Sequence, residues 1–439
     1  MNDSINHICT ISTEIFEPVK KPEIKIKKIK SNNKNLKSIL FLFFIFLGFL
    51  NHLGFYLIMT SSQQFATKLG NESLIACYPL ALILFSSFAR VINSKYCINI
   101  SYYIRLIILS SQFCIGYIAL FFILDNRKIR KNNNIAFWLT MLPTTIVGMG
   151  ESFGEVTILG YIGTFKRNDY LSGWAIGGSL AGVFGSLLSL LFKKLNTNLK
   201  MIYLFLTPIS ILYFFIFLII NQCGKNEKKI EKKKEFHKIH EKTKNVSNID
   251  SEDEIINNKI LNIKNFIEGF KSSYKYIINL GLLNFLQHLI CYCFCERTNK
   301  HKFINSEGTY FEKTQYETLL LFYEFGFVLS SACAFIIRNI KYLEIFTYLQ
   351  FINTILWAIE SLIGFVSNQW ICYIHLFFVG MCAGGGNIGF FDEMDKSKKI
   401  SSRIKELCKN ICEFFKDWGI LISSIMSIIF DNTFMKIKR

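Results

Sequence analysis

The chain has 439 residues, of which 51% are hydrophobic and 15% aromatic, and its mean hydropathy is +0.31. A water-soluble fold would have to expose most of its apolar runs of about 20 residues, so this composition excludes an ordinary soluble protein. The formal charge of +18 comes largely from lysines before the first apolar run and in one internal loop. That distribution is typical of the cytosolic segments of a membrane protein and argues against a nucleic-acid-binding surface.

Eleven apolar segments predict membrane-spanning helices, because each can cross about 30 Å of hydrocarbon. They lie at approximately 39–60, 73–92, 102–124, 135–163, 172–193, 200–221, 274–296, 316–337, 342–366, 370–391 and 411–430. The sequence therefore predicts an all-α polytopic membrane protein in two halves. Its predicted parts are a basic tail (1–38), a six-helix half (39–221), a charged linker (222–273), a C-terminal helical half (274–430) and a short tail (431–439).

The lysines predict the orientation of the chain in the membrane. The tail 1–38 and the linker 222–273 are both basic and are separated by six spans, so both are expected in the cytosol. Arg90, Lys166 and Arg167 then fall on the cytosolic side as flanking charges. For Lys166 and Arg167 the alternative is attraction of a phosphate-bearing ligand. The linker is too rich in Lys and Glu to bury a core, and it offers a surface to cytosolic trafficking partners.

The fourth span carries the strongest functional signal. Glu151 and Glu155 are four residues apart, so a helix places them on one face. Acids inside a membrane are costly and by default mark a pathway or a site. Two acids this close can share a proton, which predicts a role in proton coupling. The alternative is a structural acid that is hydrogen-bonded to Thr157, Tyr161 or a neighbouring helix.

Further polar residues are predicted to line a substrate cavity, with interhelical hydrogen bonds as the alternative. They are Asn51, His52, Tyr56, Thr157, Tyr161, Asn284, Gln287, His288 and Tyr323. Spans one and seven occupy corresponding places beside the central cavity of a two-fold repeat. The cluster in span one and the cluster Asn284, Gln287 and His288 in span seven are therefore expected to face the same cavity. Glu324, beside Tyr323, is a further candidate for proton coupling. Small residues predict close packing of helices at Gly154, Gly178, Gly182 and Gly185.

Motifs along most of the chain carry a family resemblance. They are Leu47-Gly48, Asn51 and Tyr56; Gly154-Glu155-Val156-Thr157, Trp174, Gly177, Ala181-Gly182 and Gly185; Gln315-Tyr316, Tyr323, Gly326 and Ser330; and Asp417 with Gly419. Together they resemble the battenin family of lysosomal and vacuolar membrane proteins. The resemblance implies a major-facilitator-like fold, and an influence on organelle pH and on efflux of basic amino acids or glycerophosphodiesters. The chain departs from the family where Asn284 and Val379 replace acids.

The sequence indicates no enzyme, cofactor or metal site. It has no GxSxG, HExxH or Walker A pattern, and its 13 cysteines lie mostly in apolar segments. We therefore expect a proton-linked transporter of a small polar solute, embedded in the lipid bilayer of a lysosome or vacuole. The alternative is a non-transporting organiser of vacuolar and endosomal trafficking and pH. A transporter needs a polar interior between its halves, whereas an organiser can have a dry, apolar one.

Overall fold

In the residues that the computed structural model describes, every regular element is helical. These residues are 23–97, 100–126, 131–165, 169–242, 263–298, 314–333, 337, 340, 342–397, 400–401 and 404–433. The helices are α1 (Glu23–Thr60), α2 (Ser62–Lys68), α3 (Cys77–Ile83), α4 (Ser86–Tyr96), α5 (Tyr102–Asp125), α6 (Asn133–Gly163), α7 (Asp169–Lys194), α8 (Leu199–Lys242), α9 (Ile263–Leu289), α10 (Gln315–Ala332), α11 (Glu344–Ile363), α12 (Gln369–Lys396) and α13 (Lys405–Asn432). A 3₁₀ turn, Glu72–Leu74, precedes α3, and a π-helical turn, Ile290–Phe294, follows α9.

Each of the eleven predicted spans coincides with a helical segment, and the 3₁₀ turn, α3 and α4 together form the second. Eight of the described segments are long and apolar enough to cross a membrane. The other three are α6, α10 and α13, and each carries buried acids. These acids include Glu151, Glu324 and Asp417. Buried charge is not confined to these three helices, because Arg90 lies on the second span and Glu360 on α11.

The two halves follow one packing plan. In the first half, α1 packs on α7, α5 packs on α6, and the second span packs on α6. The equivalent contacts six spans later are α9 on α13, α11 on α12, and α10 on α12. The two seams that join the halves are equivalent as well, because α7 packs on α10 and the second span packs on α13. The fold is thus an internal two-fold repeat, which is typical of secondary transporters.

The repeat is incomplete in the second half. The sixth span, α8, packs on α5, but the described residues supply no twelfth helix to pack on α11 in the same way. Consequently α11 leaves a broad apolar face uncovered. Its most exposed side chains include Tyr348, Phe351 and Ile363. In a membrane such a face contacts lipid.

Helices enter the predicted linker from both ends. α8 continues past the sixth span to Lys242, and α9 begins at Ile263. Glu227 is buried where α8 leaves the bundle, and its Oε2 accepts a hydrogen bond of 2.7 Å from the Tyr170 hydroxyl. Lys166, Arg167, residues 1–22 and residues 243–262 lie outside the described residues. The predicted cytosolic placement of the tail and linker therefore stays a prediction. The last span begins at Lys405, six residues before its predicted start at 411.

Candidate functional site

A histidine–carboxylate pair joins α1 to α6. His52 Nδ1 lies 2.6 Å from Glu151 Oε1, and the Ser152 hydroxyl donates to Glu151 Oε2 over 3.1 Å. Next to this pair, Asn51 Nδ2 donates to the backbone oxygen of Glu151 over 3.1 Å. Asn51 Oδ1 in turn accepts a hydrogen bond of 3.3 Å from the Tyr213 hydroxyl on α8. Glu151 and the first-span residues Asn51 and His52 thus form one hydrogen-bonded group.

Arg90, on α4, connects the two halves inside the bundle. Its Nη2 lies 2.8 Å from Glu155 Oε2 on α6, and its Nε lies 2.9 Å from Asp417 Oδ2 on α13. The exposed fractions of these side chains are 10% for Arg90, 12% for Glu155 and 3% for Asp417. A guanidinium presents several donors in a fixed plane, so one arginine can hold two carboxylates at once. The second-span–α13 seam is therefore closed by a shared ion pair.

Other polar groups surround this arginine. Lys416 forms an ion pair with Glu413 on α13. Thr157, predicted to line a cavity, is buried and accepts a hydrogen bond of 2.7 Å from Asn93 Nδ2. Arg105 Nη1 donates to Asn93 Oδ1 over 3.4 Å. In this conformation Thr157 therefore belongs to a network that ties α4 to α6.

The acids and bases of this region nearly balance one another. The charged groups around the seam are Glu151, Glu155, Glu413 and Asp417 with Arg90, Lys416 and His52. Every one of them has an oppositely charged partner, His52 counting when it is protonated. An interior of low dielectric constant tolerates ionised groups when each is paired with an opposite charge.

A second tie between the halves lies at the α7–α10 seam. Glu317 Oε1, in the first turn of α10, lies 2.8 Å from Lys193 Nζ in the last turn of α7. It also accepts a hydrogen bond of 3.1 Å from Gln64 Nε2. Lys193 lies where an odd-numbered span ends, and Arg90 lies near the end of an even-numbered one. Because consecutive spans run in opposite directions, the two ties lie toward opposite ends of the bundle.

Glu324 is a second buried acid of the α7–α10 seam. Its side chain is 1% exposed, and its Oε2 has no hydrogen-bond partner in the described part of the chain. This oxygen lies against the backbone of Gly182 on α7, where a Cβ atom would overlap it. One helical turn earlier, Gly178 lies in the same way against the His52 ring. The glycines of α7 thus make room for the His52 and Glu324 side chains as well as for the helices themselves.

The predicted seventh-span cluster forms its contacts within the second half. Asn284 Nδ2 donates to Asn387 Oδ1 on α12 over 3.1 Å, and Gln287 Nε2 donates to Asn284 Oδ1 over 2.7 Å. His288 Nδ1 lies 2.8 Å from the backbone oxygen of Asn284. In this conformation the cluster is not hydrogen-bonded to the first-span group. Tyr292 makes a direct polar link from this region to α1, because its hydroxyl donates to the Met59 sulfur over 2.8 Å.

The remaining predicted residues lie in helix contacts. The Tyr161 ring packs among aromatic rings and its hydroxyl donates to Asn221 Oδ1 over 3.4 Å, away from the charged cluster. The backbone oxygen of Tyr323 lies at a close crossing of α10 with α12. On α1, Tyr56 lies beside His52 with ring centroids 6.5 Å apart. Of the predicted packing glycines, Gly154 lies against the Asn51 side chain, and Gly185 lies against the α1 backbone at Tyr56 and Leu57.

Sequence reasoning missed the partners of the acids. It interpreted Arg90 as a flanking charge and Asp417 only as part of a family motif, although the two close one seam. It did not single out Lys193 or Glu317. A signal was available for Arg90, because it stands within the apolar second span and not beyond its end.

The repeat, the two seams and the buried charges define a membrane protein of the major facilitator type, as the sequence predicts. The fold is similar to that of a POT family transporter in complex with 5-aminolevulinic acid, with a TM-score of 0.57, 13% identity, and coverage of 92% of this chain and 91% of that one. It is also similar to a mutant of the nucleoside transporter NupG, with a TM-score of 0.56, 13% identity, and coverage of 89% of this chain and 91% of that one. A D-xylose-proton symporter gives a TM-score of 0.57 at 10% identity, with 90% of each chain covered.

A family model described as CLN3 protein matches residues 42–437, and the chain belongs to that family. Battenin from Dictyostelium discoideum is 21% identical over 401 residues, which cover 88% of this chain and 92% of that protein. The predicted battenin resemblance is therefore confirmed. The solved structures that share the fold of this chain are transporters.

Proposed function

We propose that this protein is a secondary transporter that moves a small polar solute by alternating access, linked to protons, in the membrane of a lysosome or vacuole. The observation that carries the proposal is the Glu155–Arg90–Asp417 bridge, which joins the halves inside the membrane. A permanent attachment between halves needs no buried charge, and apolar packing of the same size would often be at least as stable. A charged tie suits an interface that opens and admits water.

The two seams supply the ties that alternating access requires. When the Arg90–Asp417 contact separates, the bundle opens toward one side of the membrane. When the Lys193–Glu317 contact separates, it opens toward the other. Between them lie Asn51, His52 and Tyr56, which we assign to the solute path. By the lysine distribution, the Arg90 end faces the cytosol.

The fourth-span acids link this movement to protons. A proton on Glu155 would remove one of the two carboxylates that hold Arg90, and so weaken the network around the cytosolic tie. A proton on Glu151 would weaken its attraction to His52. Both carboxylates have a cationic or cation-forming partner in this conformation, so each accepts a proton as its partner moves away.

The solute class rests on the family. We propose efflux of a basic amino acid or a glycerophosphodiester from the organelle, with a consequent effect on its pH. A structural neighbour that binds 5-aminolevulinic acid supports the capacity of this fold for small charged solutes.

The test compares metabolites in purified acidic organelles with and without the protein, followed by uptake into proteoliposomes. Labelled arginine and glycerophosphocholine are the probes, and Asp417→Asn is the variant that weakens the cytosolic tie. We expect one probe to accumulate in knockout organelles and to move in proteoliposomes containing the parent, with altered kinetics in the variant. Unchanged metabolites and no flux, together with altered trafficking, would favour the organiser function instead.

A further inference from the structure

The buried acids of this chain differ in how they are paired. Glu155 and Asp417 share Arg90, and Glu317 is paired with Lys193. Glu360 Oε2, in α11, accepts a hydrogen bond of 3.0 Å from the backbone nitrogen of Val366. Glu324 differs from these four acids, because no lysine, arginine or histidine of the described chain forms an ion pair with it and its Oε2 accepts no hydrogen bond.

The groups that face Glu324 are neutral at ordinary pH. They are Tyr56 from α1, Cys291 from the π-helical turn, and Tyr323 from its own helix. Tyr292, also in the π-helical turn, is a further neighbour. Gly182 covers the carboxyl group from the α7 side, and His52, which lies against Gly178 on the same glycine face, is already paired with Glu151.

A carboxylate without a partner is strongly disfavoured in such surroundings. An isolated charge that is taken out of water costs several kcal/mol or more, whereas a neutral carboxylic acid costs far less. In the closed seam Glu324 is therefore held in its protonated form. Water can reach it only when α7 and α10 separate, and that seam is one of the two at which the halves move against each other.

We propose that Glu324 is a proton-carrying group of the transport cycle, occluded by Gly182 while α7 and α10 are in contact and exposed when they part. The inference rests on the proposed transport function. The proton is taken from the compartment that faces the open seam, is carried through the closed state on the carboxyl group, and leaves when the opposite opening reaches it. No other bond is made or broken.

One experiment uses Glu324→Gln, which keeps the shape of the side chain but cannot exchange a proton. Glu360→Gln is the matched control, because it is a buried acid of the same half that lies outside both seams. Arginine and glycerophosphocholine are measured in proteoliposomes, both as exchange without a pH gradient and as accumulation driven by one. We expect Glu324→Gln to retain exchange and lose gradient-driven accumulation, while Glu360→Gln keeps both. Gradient-driven accumulation by Glu324→Gln at the parental level would overturn the proposal, whereas no flux by the parent would count against the transport function itself.

A second experiment does not depend on transport. Infrared difference spectra of the purified protein, recorded across pH, report the carbonyl band of protonated carboxylic acids. We expect a band that persists at neutral pH in the parent and in Glu360→Gln and is absent in Glu324→Gln. The same band in all three proteins would contradict a protonated Glu324.

The occlusion is tested by a double-mutant cycle at the seam. Gly182→Ala places a methyl group where the Glu324 carboxyl lies, so it should lower the melting temperature. In a Glu324→Ala background the same change should cost much less, because the space is then free. Equal losses in the two backgrounds would show that the carboxyl does not rest on Gly182.

Discussion

The two halves share a packing plan but treat buried charge differently. In the first half, Glu151 and Glu155 each have a basic partner. The sixth span, α8, packs on the third span, α5. In the second half, the described residues contain neither an ionic partner for Glu324 nor a helix that packs on α11 in the equivalent way. Among the described residues, the fourth-span acids are therefore paired and the third span is covered, whereas Glu324 is unpaired and α11 is exposed.

The comparison shows that the repeat constrains how helices cross but not where buried charges lie. Helix crossings recur because the glycines and small residues permit them, as at Gly148 against the second span and at Gly380 against α10. Charges do not recur, since a buried ion pair needs two side chains on different helices and a single replacement removes it. The first and fourth spans meet at Asn51 and Glu151, whereas the corresponding seventh and tenth spans meet at Asn284 and Asn387, whose amides form a hydrogen bond without charge.

The largest expected effect comes from removing the cation that connects the halves. Arg90→Met leaves Glu155 and Asp417 as unpaired buried acids, and breaking such a pair costs about 3–5 kcal/mol. The deficit should shrink as the pH falls, because protonation removes the unpaired charges. Thermal melting in detergent at several pH values measures both effects.

Lys275→Met is the control for Arg90→Met. Lys275 pairs with Glu344 at 2.7 Å on the surface of the second half, where its side chain is 43% exposed. Surface pairs contribute only about 0–1 kcal/mol, so little should change. Equal losses in the two variants would remove the distinction between the buried bridge and a surface pair.

Gly182→Leu should cost about 3 kcal/mol, at the upper end of what overpacking does, because the side chain would wedge α7 from α10 and displace Glu324. Folded yield and melting temperature are the measurements. Gly163→Leu is the comparison, since a Cβ there meets no atom within 4 Å. If Gly182→Leu folded normally and lost transport alone, Gly182 would belong to the solute path and not to a packed seam.

Glu155→Gln should fold and reach the membrane, with a stability loss of about 1 kcal/mol, because Arg90 keeps Asp417 as its partner. It should nevertheless weaken the response of transport to a pH gradient, and Glu151→Gln should do so less. Uptake at several lumenal pH values, beside a melting curve, measures the two quantities. An unchanged pH response in Glu155→Gln with a lost one in Glu324→Gln would assign coupling to the second half alone.

In the amide cluster we expect only a small loss of stability and no effect on the pH response. Asn387→Ala removes one neutral hydrogen bond to Asn284, worth about 0.5–1.5 kcal/mol, and leaves no buried charge behind. Its melting temperature should fall slightly, and its pH response should match that of the parent. A loss as large as that of Arg90→Met would mean that the neutral cluster is as critical as the charged one.

Sequence patterns predicted the elements well and their contacts poorly. Span length and apolarity are properties of consecutive residues, so the helices and the two halves could be predicted. The Arg90–Asp417 contact joins positions 327 residues apart, and it depends on how two helices are rotated about their axes. No periodicity reports that rotation. For the same reason Tyr161 was assigned to a cavity, although its ring lies in an aromatic cluster that suits a tyrosine equally well.

The glycine face of α7 also sets how freely this part of the chain can vary. At Gly177, Gly178 and Gly182 even an alanine would meet the α1 backbone, the His52 ring or the Glu324 carboxyl. Substitution there is costly in nearly any chemical form, and an exchange must be compensated on a second helix. The outward face of α11, by contrast, accepts many apolar side chains because nothing in the described chain packs on it. Mutational tolerance therefore changes along the protein with the distance of a helix from the seams.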